Sequence, residues 1–273
     1  MSENLRFGIL SYVNCLPATL ALELGHVADP RLQKSFGSPS QLNAMMSKGE
    51  LDVSLVSTAE FLDRRALYQR LPDYSLWCDG WVKSVTLYSP FAKDAFRTLN
   101  PTFAVTPDTA TSVALLEILV PNATTVTFES VEAAERGIKD GTYQGVLLIG
   151  DRSLSPPAWT DNLMAHDLGQ WWSERTSLPM TYALWVARAD LDAERLKLAN
   201  DLLGRSREWG LELPAELLAE GERRSGVGQE RLRAYFQRLQ YKSCARSAEG
   251  LVEFGGRLAL HRLMWQSPML AQR

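Results

Sequence analysis

The sequence predicts an α/β protein of two lobes, a hinged clamshell, with a helical C-terminal segment. Three observations point there. Short apolar, strand-like runs recur, each followed by a turn of small polar residues and an amphipathic stretch. This plan occurs twice: Gly49-Glu50-Leu51-Asp52-Val53-Ser54-Leu55-Val56-Ser57 has a counterpart in Gly141 to Asp151, and each follows a helix opened by a serine, Ser38 or Ser130. Two extended runs, Trp77 to Pro90 and Pro179 to Arg188, lie where a chain would cross between two lobes. The expected division is a first lobe of residues 1–90 and 179–273, including the C-terminal helices, with residues 91–178 inserted as the second lobe.

The elements follow in order. Leu5 to Leu10 reads as a strand, then a loop, Ser11-Tyr12-Val13-Asn14-Cys15-Leu16, and a helix opened by Pro17, a favourable first-turn residue. Leu32 to Phe36 reads as a second strand. Ser38-Pro39-Ser40 starts a helix that ends before Gly49, and Asp52 to Val56 makes a third strand. Ser57-Thr58-Ala59-Glu60 is a capping-box pattern at that strand's end. Val82 to Ser89 reads as a long strand. Phe103 to Val105 runs through Thr106-Pro107-Asp108 into a helix carrying Val113, Leu115, Leu116 and Leu119. Val146 to Ile149 is a further strand. From Leu191 onward, four stretches carry apolar residues at helical spacing and are expected to pack on the first lobe and close its sheet edge.

Composition bounds the function. A chain of 273 residues exceeds the usual single-domain size of roughly 100 to 200. With 45% hydrophobic and 22% charged residues it can bury real cores, and a formal net charge of −3 gives no electrostatic footprint for nucleic acid or an anionic membrane. MSENLRFGIL lacks a basic segment followed by a long apolar one, and no apolar run approaches the ~18 residues of a membrane span, so a cytoplasmic location is expected. Cys15, Cys78 and Cys244 form no CxxC pair and no metal-type cluster with His26, His166 and His261, which fits reduced thiols.

Ligands of open α/β sheets bind at the C-terminal ends of strands, and candidate contacts collect there. Thr109, Ala110, Thr111 and Ser112 open a helix whose unpaired N–H groups and dipole favour an anion; equally, Asp108 or Thr109 caps that helix. Ser11 and Asn14 follow the first strand, where they contact a ligand or hydrogen-bond the loop backbone. Ser57 follows the third. Asp151, after Val146 to Ile149, is the best-placed carboxylate for acid–base work, or it caps the following turn. His166 is a candidate base or a solvent-exposed loop histidine. Lys83, Arg152, Arg175 and Arg188 are expected near the rim. No GxxxxGK[ST], GxGxxG after a strand, GxSxG or HExxH is present, so cofactor chemistry has no anchor, and the inventory suits a small carboxylated molecule.

As a set, SYVNCLP, DxxTSVALL, LLIGDRSL and DLGQWW followed by SLPMTYALW, with Tyr235-Phe236 and Tyr241 near the C-terminus, resemble the chorismate dehydratase family of the futalosine route to menaquinone. That family is similar in fold to type 2 periplasmic binding proteins. The resemblance implies loss of water from chorismate to give 3-[(1-carboxyvinyl)oxy]benzoate, with no metal or organic cofactor. Carried over by motif, Asn14, Ser84, Thr111, Ser112, Gly150 and Asp151 line the site. The chain departs from the pattern at Cys78-Asp79-Gly80-Trp81, before Lys83 and Ser84. Asn14 is then expected to act on the departing C4 hydroxyl or the C3 proton, the substrate's own enolpyruvyl carboxylate taking that proton. Two alternatives stand beside this reading. One is a non-catalytic carboxylate-binding protein or sensor domain; the other is the sister dihydroxynaphthoate-forming enzyme, which uses a histidine base that the IGD region here lacks.

Overall fold

The computed structural model describes residues 4–107 and 110–265. In chain order the elements are β1 (Leu5–Leu10), α1 (Leu16–Leu24), β2 (Leu32–Gly37), α2 (Pro39–Ser47), β3 (Val53–Ser57), α3 (Thr58–Asp63), β4 (Tyr68–Cys78), β5 (Val85–Ser89), β6 (Thr102–Val105), α4 (Ala110–Leu119), β7 (Thr124–Thr127) and α5 (Val131–Lys139). There follow β8 (Gly145–Ile149), α6 (Asp151–Leu154), β9 (Met164–Asp167), α7 (Leu168–Thr176), β10 (Met180–Arg188), α8 (Ala193–Leu211), α9 (Ala215–Ser225), α10 (Gln229–Arg238), β11 (Gln240–Lys242) and α11 (Ala245–Trp265). The chain divides into two compact units, Met1–Trp77 with Thr181–Cys244, and Cys78–Met180 with Ala245–Arg273.

The first unit is built on a sheet of order β11-β4-β10-β3-β1-β2. β1 runs parallel to β2 and to β3, and β10 is antiparallel to β3 with Ala183 opposite Ser57. A central parallel strand is buried on both faces and reads as a continuous apolar run, which is why Leu5, Phe7, Ile9 and Leu10 of β1 are all buried. At Gly8 a Cβ would stand 2.5 Å from Ser54 Oγ of β3, so the close approach of these strands requires glycine. Pro17 opens α1 and Gly25, at φ +83°, ends it. Ser38 caps α2 with a reciprocal capping box to Gln41.

The second unit holds a sheet of order β7-β6-β8-β5-β9. β6 is parallel to β7 and β8, whereas β5 runs antiparallel to both β8 and β9. One face buries Tyr88, Ala104, Val146 and Leu148 with Phe128 and Ala134. Near the other, Phe96 meets Phe103 edge-on at 5.2 Å. The repeated plan is visible here: α5, capped by Ser130, precedes Gly141 and β8 as α2, capped by Ser38, precedes Gly49 and β3. Gly49 and Gly141 both take left-handed backbones, at φ +72° and +81°.

Four expectations need correcting. The C-terminal helices do not stay together: α8, α9 and α10 belong to the first unit, but α11 belongs to the second. There α11 packs on α4, Phe254 meets Trp172 at 6.0 Å, and a Cβ on Gly250 would overlap the Pro179 carbonyl oxygen. The second unit is therefore itself discontinuous, and it begins near residue 78 rather than 91. The edge of the first sheet is closed by β11 instead of by helices. The strand expected over Val82 to Ser89 begins only at Val85, because Gly80 and Lys83 take φ of +78° and +64° and turn the chain.

Candidate functional site

The first unit gathers polar groups at the C-terminal ends of its parallel strands. Ser11, exposed after β1, donates its backbone N–H to Gly37 O at the end of β2. Asn14, half-buried, lies in a 3-10 turn over Val13–Cys15. Its carbonyl accepts from the Tyr241 hydroxyl at 2.9 Å, and the Cys15 thiol donates to its Oδ1 at 3.2 Å. Asn14, Cys15, Trp185 and Tyr241 border a cavity of about 10 Å³, the size of one water. Ser57 is the N-cap of α3, its hydroxyl accepting from Glu60 N at 3.3 Å. The Glu60 carboxylate turns instead to the Tyr68 hydroxyl, so the reciprocal half of the expected box is replaced. Thr58 donates to Thr181 O at 2.7 Å, which ties this edge to β10.

The second unit assembles a richer edge. Val105 of β6 pairs with Leu147 of β8, and Ile149 of β8 with Val85 of β5. The register brings the start of α4, the Gly150 turn and residues 83–84 to one end of the sheet. Gly150, at φ +58°, donates its N–H to Ser84 O at 2.8 Å. Ser153 donates to Lys83 O at 2.9 Å and lies 3.1 Å from the Thr86 hydroxyl. Asp151, half-buried, is the first residue of the short helix α6. Thr111 and Ser112 are buried in the first turn of α4, whereas Ala110 is exposed. The Ser84 and Ser112 hydroxyls, 4% and 7% exposed as residues, make no hydrogen bond to another described residue. Neither oxygen is itself fully buried, so each is open to water or to a ligand. Thr109 and Asp108 lie outside the described residues. A cavity of about 570 Å³ borders the other face of α4, against Ala110, Val113, Glu117 and Leu258, rather than Thr111 and Ser112.

Other candidates fall elsewhere. His166 is neither exposed nor in a loop: it sits buried on β9, its Nε2 2.8 Å from Phe91 O, and burial lowers its pKa. Arg188 lies at the opposite end of the first sheet, held by Asp190 and 3.7 Å from Asp52. Arg175 stacks over Trp171 at 5.3 Å. Among the described residues no group of three His, Cys, Asp or Glu side chains could hold a metal ion, and no helix is long and apolar enough to cross a membrane.

Asp167 is not among the candidate residues the sequence singles out. It caps α7 by accepting from Gln170 N at 3.0 Å and also accepts from Val82 N at 3.2 Å and Lys83 N at 2.6 Å. Burial pushes its carboxyl above the usual range while these N–H groups pull it back. The signal was present as Asp167-Leu168-Gly169-Gln170, a capping pattern whose second set of partners no local pattern reveals.

The architecture is that of a periplasmic-binding-protein-like α/β protein. It matches the solved structure of AF1704 from Archaeoglobus fulgidus with a TM-score of 0.76 at 19% identity, covering 96% of this chain and 97% of that one. It matches the periplasmic aliphatic sulphonate binding protein SsuA from Escherichia coli at 0.65 and 14%, covering 96% and 89%. The Candida albicans CA3427 product, which exhibits the generic periplasmic binding protein fold, matches at 0.60 and 10%, covering 98% and 93%. In sequence, residues 5–259 match the family model described as menaquinone biosynthesis. A chorismate dehydratase from Thermus thermophilus is 32% identical over 238 residues, 81% of this chain and 85% of that protein. The chain belongs to this menaquinone-biosynthesis family.

Proposed function

We propose that the protein is a chorismate dehydratase, a lyase that eliminates water from chorismate to give 3-[(1-carboxyvinyl)oxy]benzoate. The observation that carries this reading is the 32% identity with a chorismate dehydratase over 238 residues, a stretch that spans most of the chain. The proton on C3 leaves, the C4–O bond breaks, and proton and hydroxide depart together as water while the ring becomes aromatic. C3–H is acidified through the C1=C2 double bond and the ring carboxylate, so groups that stabilise developing negative charge help more than a strong base.

Thr111 and Ser112 take one substrate carboxylate at the start of α4, where N–H groups and the dipole favour negative charge. The unpartnered Ser112 hydroxyl supports this role. Ser84 and Gly150 contribute from the adjoining turn. Asn14 Nδ2 donates to the departing C4 oxygen, an assignment supported by the Cys15 thiol's engagement of Asn14 Oδ1. A neutral amide is a poor base, so the substrate's enolpyruvyl carboxylate accepts the C3 proton. The reaction uses no metal or organic cofactor, and the enzyme works in the cytoplasm.

Absorbance tests this reading: purified protein should convert chorismate to an aromatic product, with or without a chelator. A protein that binds chorismate but returns it unchanged is a binding protein, and a rate that collapses with chelator and returns with a divalent ion reveals a metal site.

A further inference from the structure

Lys83 stands in an unusual setting. It is a non-glycine residue at φ +64°, a left-handed backbone that a bulky L-residue rarely adopts, and asparagine or glycine would suit that position better. Its side chain is exposed and its ammonium group has no hydrogen-bond or ion-pair partner among the described residues. A strained backbone that displays an unpaired cation beside the Ser84 hydroxyl, which is open to solvent and makes no hydrogen bond to another described residue, suits contact with a ligand.

The strained turn is held from two sides. Asp167 accepts from Lys83 N at 2.6 Å and Val82 N at 3.2 Å, and Ser153 donates to Lys83 O at 2.9 Å. The Asp167 carboxylate is 5% exposed and takes its stabilisation from backbone N–H groups, so its charge is spent on geometry and not on neutralising a lysine. Asp167 simultaneously caps α7, so the turn is fixed to a helix end and cannot drift without uncapping it. Chorismate is a dianion. The start of α4 offers hydroxyls and N–H groups for one carboxylate, and a cation suits the other; Lys83, next to Ser84, and Arg152, two residues after Gly150, are the cations nearest in sequence to this edge.

We propose that the Lys83 ammonium binds the second carboxylate of the substrate, and that Asp167 is the positioning residue that holds the Lys83 turn in place. This rests on the reading of the protein as a chorismate dehydratase.

Steady-state kinetics with chorismate on single and double variants test this. Lys83→Asn removes the cation while suiting the left-handed backbone, so it should fold at least as well as wild type and raise KM about tenfold to a hundredfold, the range for losing a hydrogen bond to a charged group. Lys83→Arg should recover most of that loss. Asp167→Asn presents an amide where two N–H groups need acceptors and should raise KM similarly; Ser153→Ala, which releases the turn from its other side, serves if Asp167→Asn does not fold. The double variant Lys83→Asn/Asp167→Asn, or Lys83→Asn/Ser153→Ala, should be no worse than Lys83→Asn within about threefold, because the positioning role vanishes with the group positioned. Asp192→Asn, which alters the cap of α8 in the other unit, controls for a plain capping effect and should leave KM unchanged. A Lys83→Asn KM within threefold of wild type overturns the cation's role, and multiplying single effects in the double variant overturn the positioning role. If the wild type binds chorismate without dehydrating it, the functional reading fails by itself; the same variants are then compared by calorimetry, where an unchanged Kd for Lys83→Asn refutes this inference separately.

Discussion

Asp52→Asn should destabilise the first unit without touching its chemistry. Asp52 precedes β3, its side chain wholly buried, and its carboxylate accepts from Arg6 N at 2.8 Å, Arg6 Nε at 3.0 Å and Arg6 Nη2 at 2.6 Å, with Arg188 at 3.7 Å and Arg195 at 4.0 Å. Breaking a buried pair by removing one partner costs about 3 to 5 kcal/mol. The Arg6 side chain is 34% exposed and water recovers part of its share, so roughly 2 to 4 kcal/mol is expected. For a chain of this size that lowers Tm by roughly 5 to 15 °C. Burial alone would raise the Asp52 pKa, but the Arg6 hydrogen bonds outweigh it and hold it below the ordinary aspartate range. A depressed pKa contributes stability above the unfolded value of about 3.9 and loses it as pH falls through the folded value. The wild-type advantage over Asp52→Asn should therefore be constant above about pH 5 and close below about pH 4. Ser57 lies at the other end of β3, so kcat of the folded variant should match wild type. Denaturant melts at pH 7 and pH 3.5 decide it. A gap under about 1 kcal/mol at pH 7, or one that widens in acid, refutes the reasoning.

Three further outcomes follow from the geometry. A Cβ at Gly210 would overlap the Pro17 carbonyl oxygen and lie 2.6 Å from its carbon, so Gly210→Ala should force α8 from α1 and lower stability by about 1 to 3 kcal/mol or more, read as a drop in Tm. Ser112→Ala should weaken chorismate binding by about 1 to 3 kcal/mol in calorimetry, and unchanged affinity would return the start of α4 to a plain helix end. Asn14→Ala should lower kcat far more than it raises KM, and Asn14→Asp should also impair turnover by setting a charge beside a dianion. If Asp151→Asn abolishes turnover while Asn14→Ala stays near wild type, both folded and binding chorismate, Asp151 is the base and the substrate-assisted scheme falls.

Much of the fold was legible because its central strands are buried on both faces: β1, β3, β8 and β10 read directly as apolar runs. Serines followed by helix formers marked α2 and α5 correctly, since a cap is a local device. β4 was missed because Pro72 and Asp73 interrupt the apolar pattern of this 11-residue strand. β7 and β9 are four residues each, TTVT and MAHD, too short and polar to show periodicity. The apolar spacing of α11 says that one face is buried, not against which unit, and only contact with α4 and Trp172 decides it. The same limit applied to the candidate site. Strand ends and small polar turns pointed to Asn14 and Ser112, and the family resemblance added Ser84 and Gly150, whereas the Asp167 clamp joins residues 84 positions apart and Tyr241 reaches Asn14 across 227.

The polar edges also explain why no catalytic signature stands in the sequence. In open α/β folds ligands meet the ends of strands whether or not chemistry follows, so the fold alone does not separate a binder from an enzyme. Ionised chorismate needs two anion contacts, and once held its elimination is driven by aromatisation, so the protein must add only a donor for the departing oxygen and a constraint on the C3 proton. An amide suffices for the first, and it must be held still. In the proposed scheme Asn14 is that amide: the Tyr241 hydroxyl holds its backbone carbonyl and the Cys15 thiol donates to its side-chain oxygen, leaving Nδ2 to donate. On that scheme catalysis rests on a held amide and not on an added acid or base, which is what the comparison of Asn14→Ala with Asp151→Asn tests.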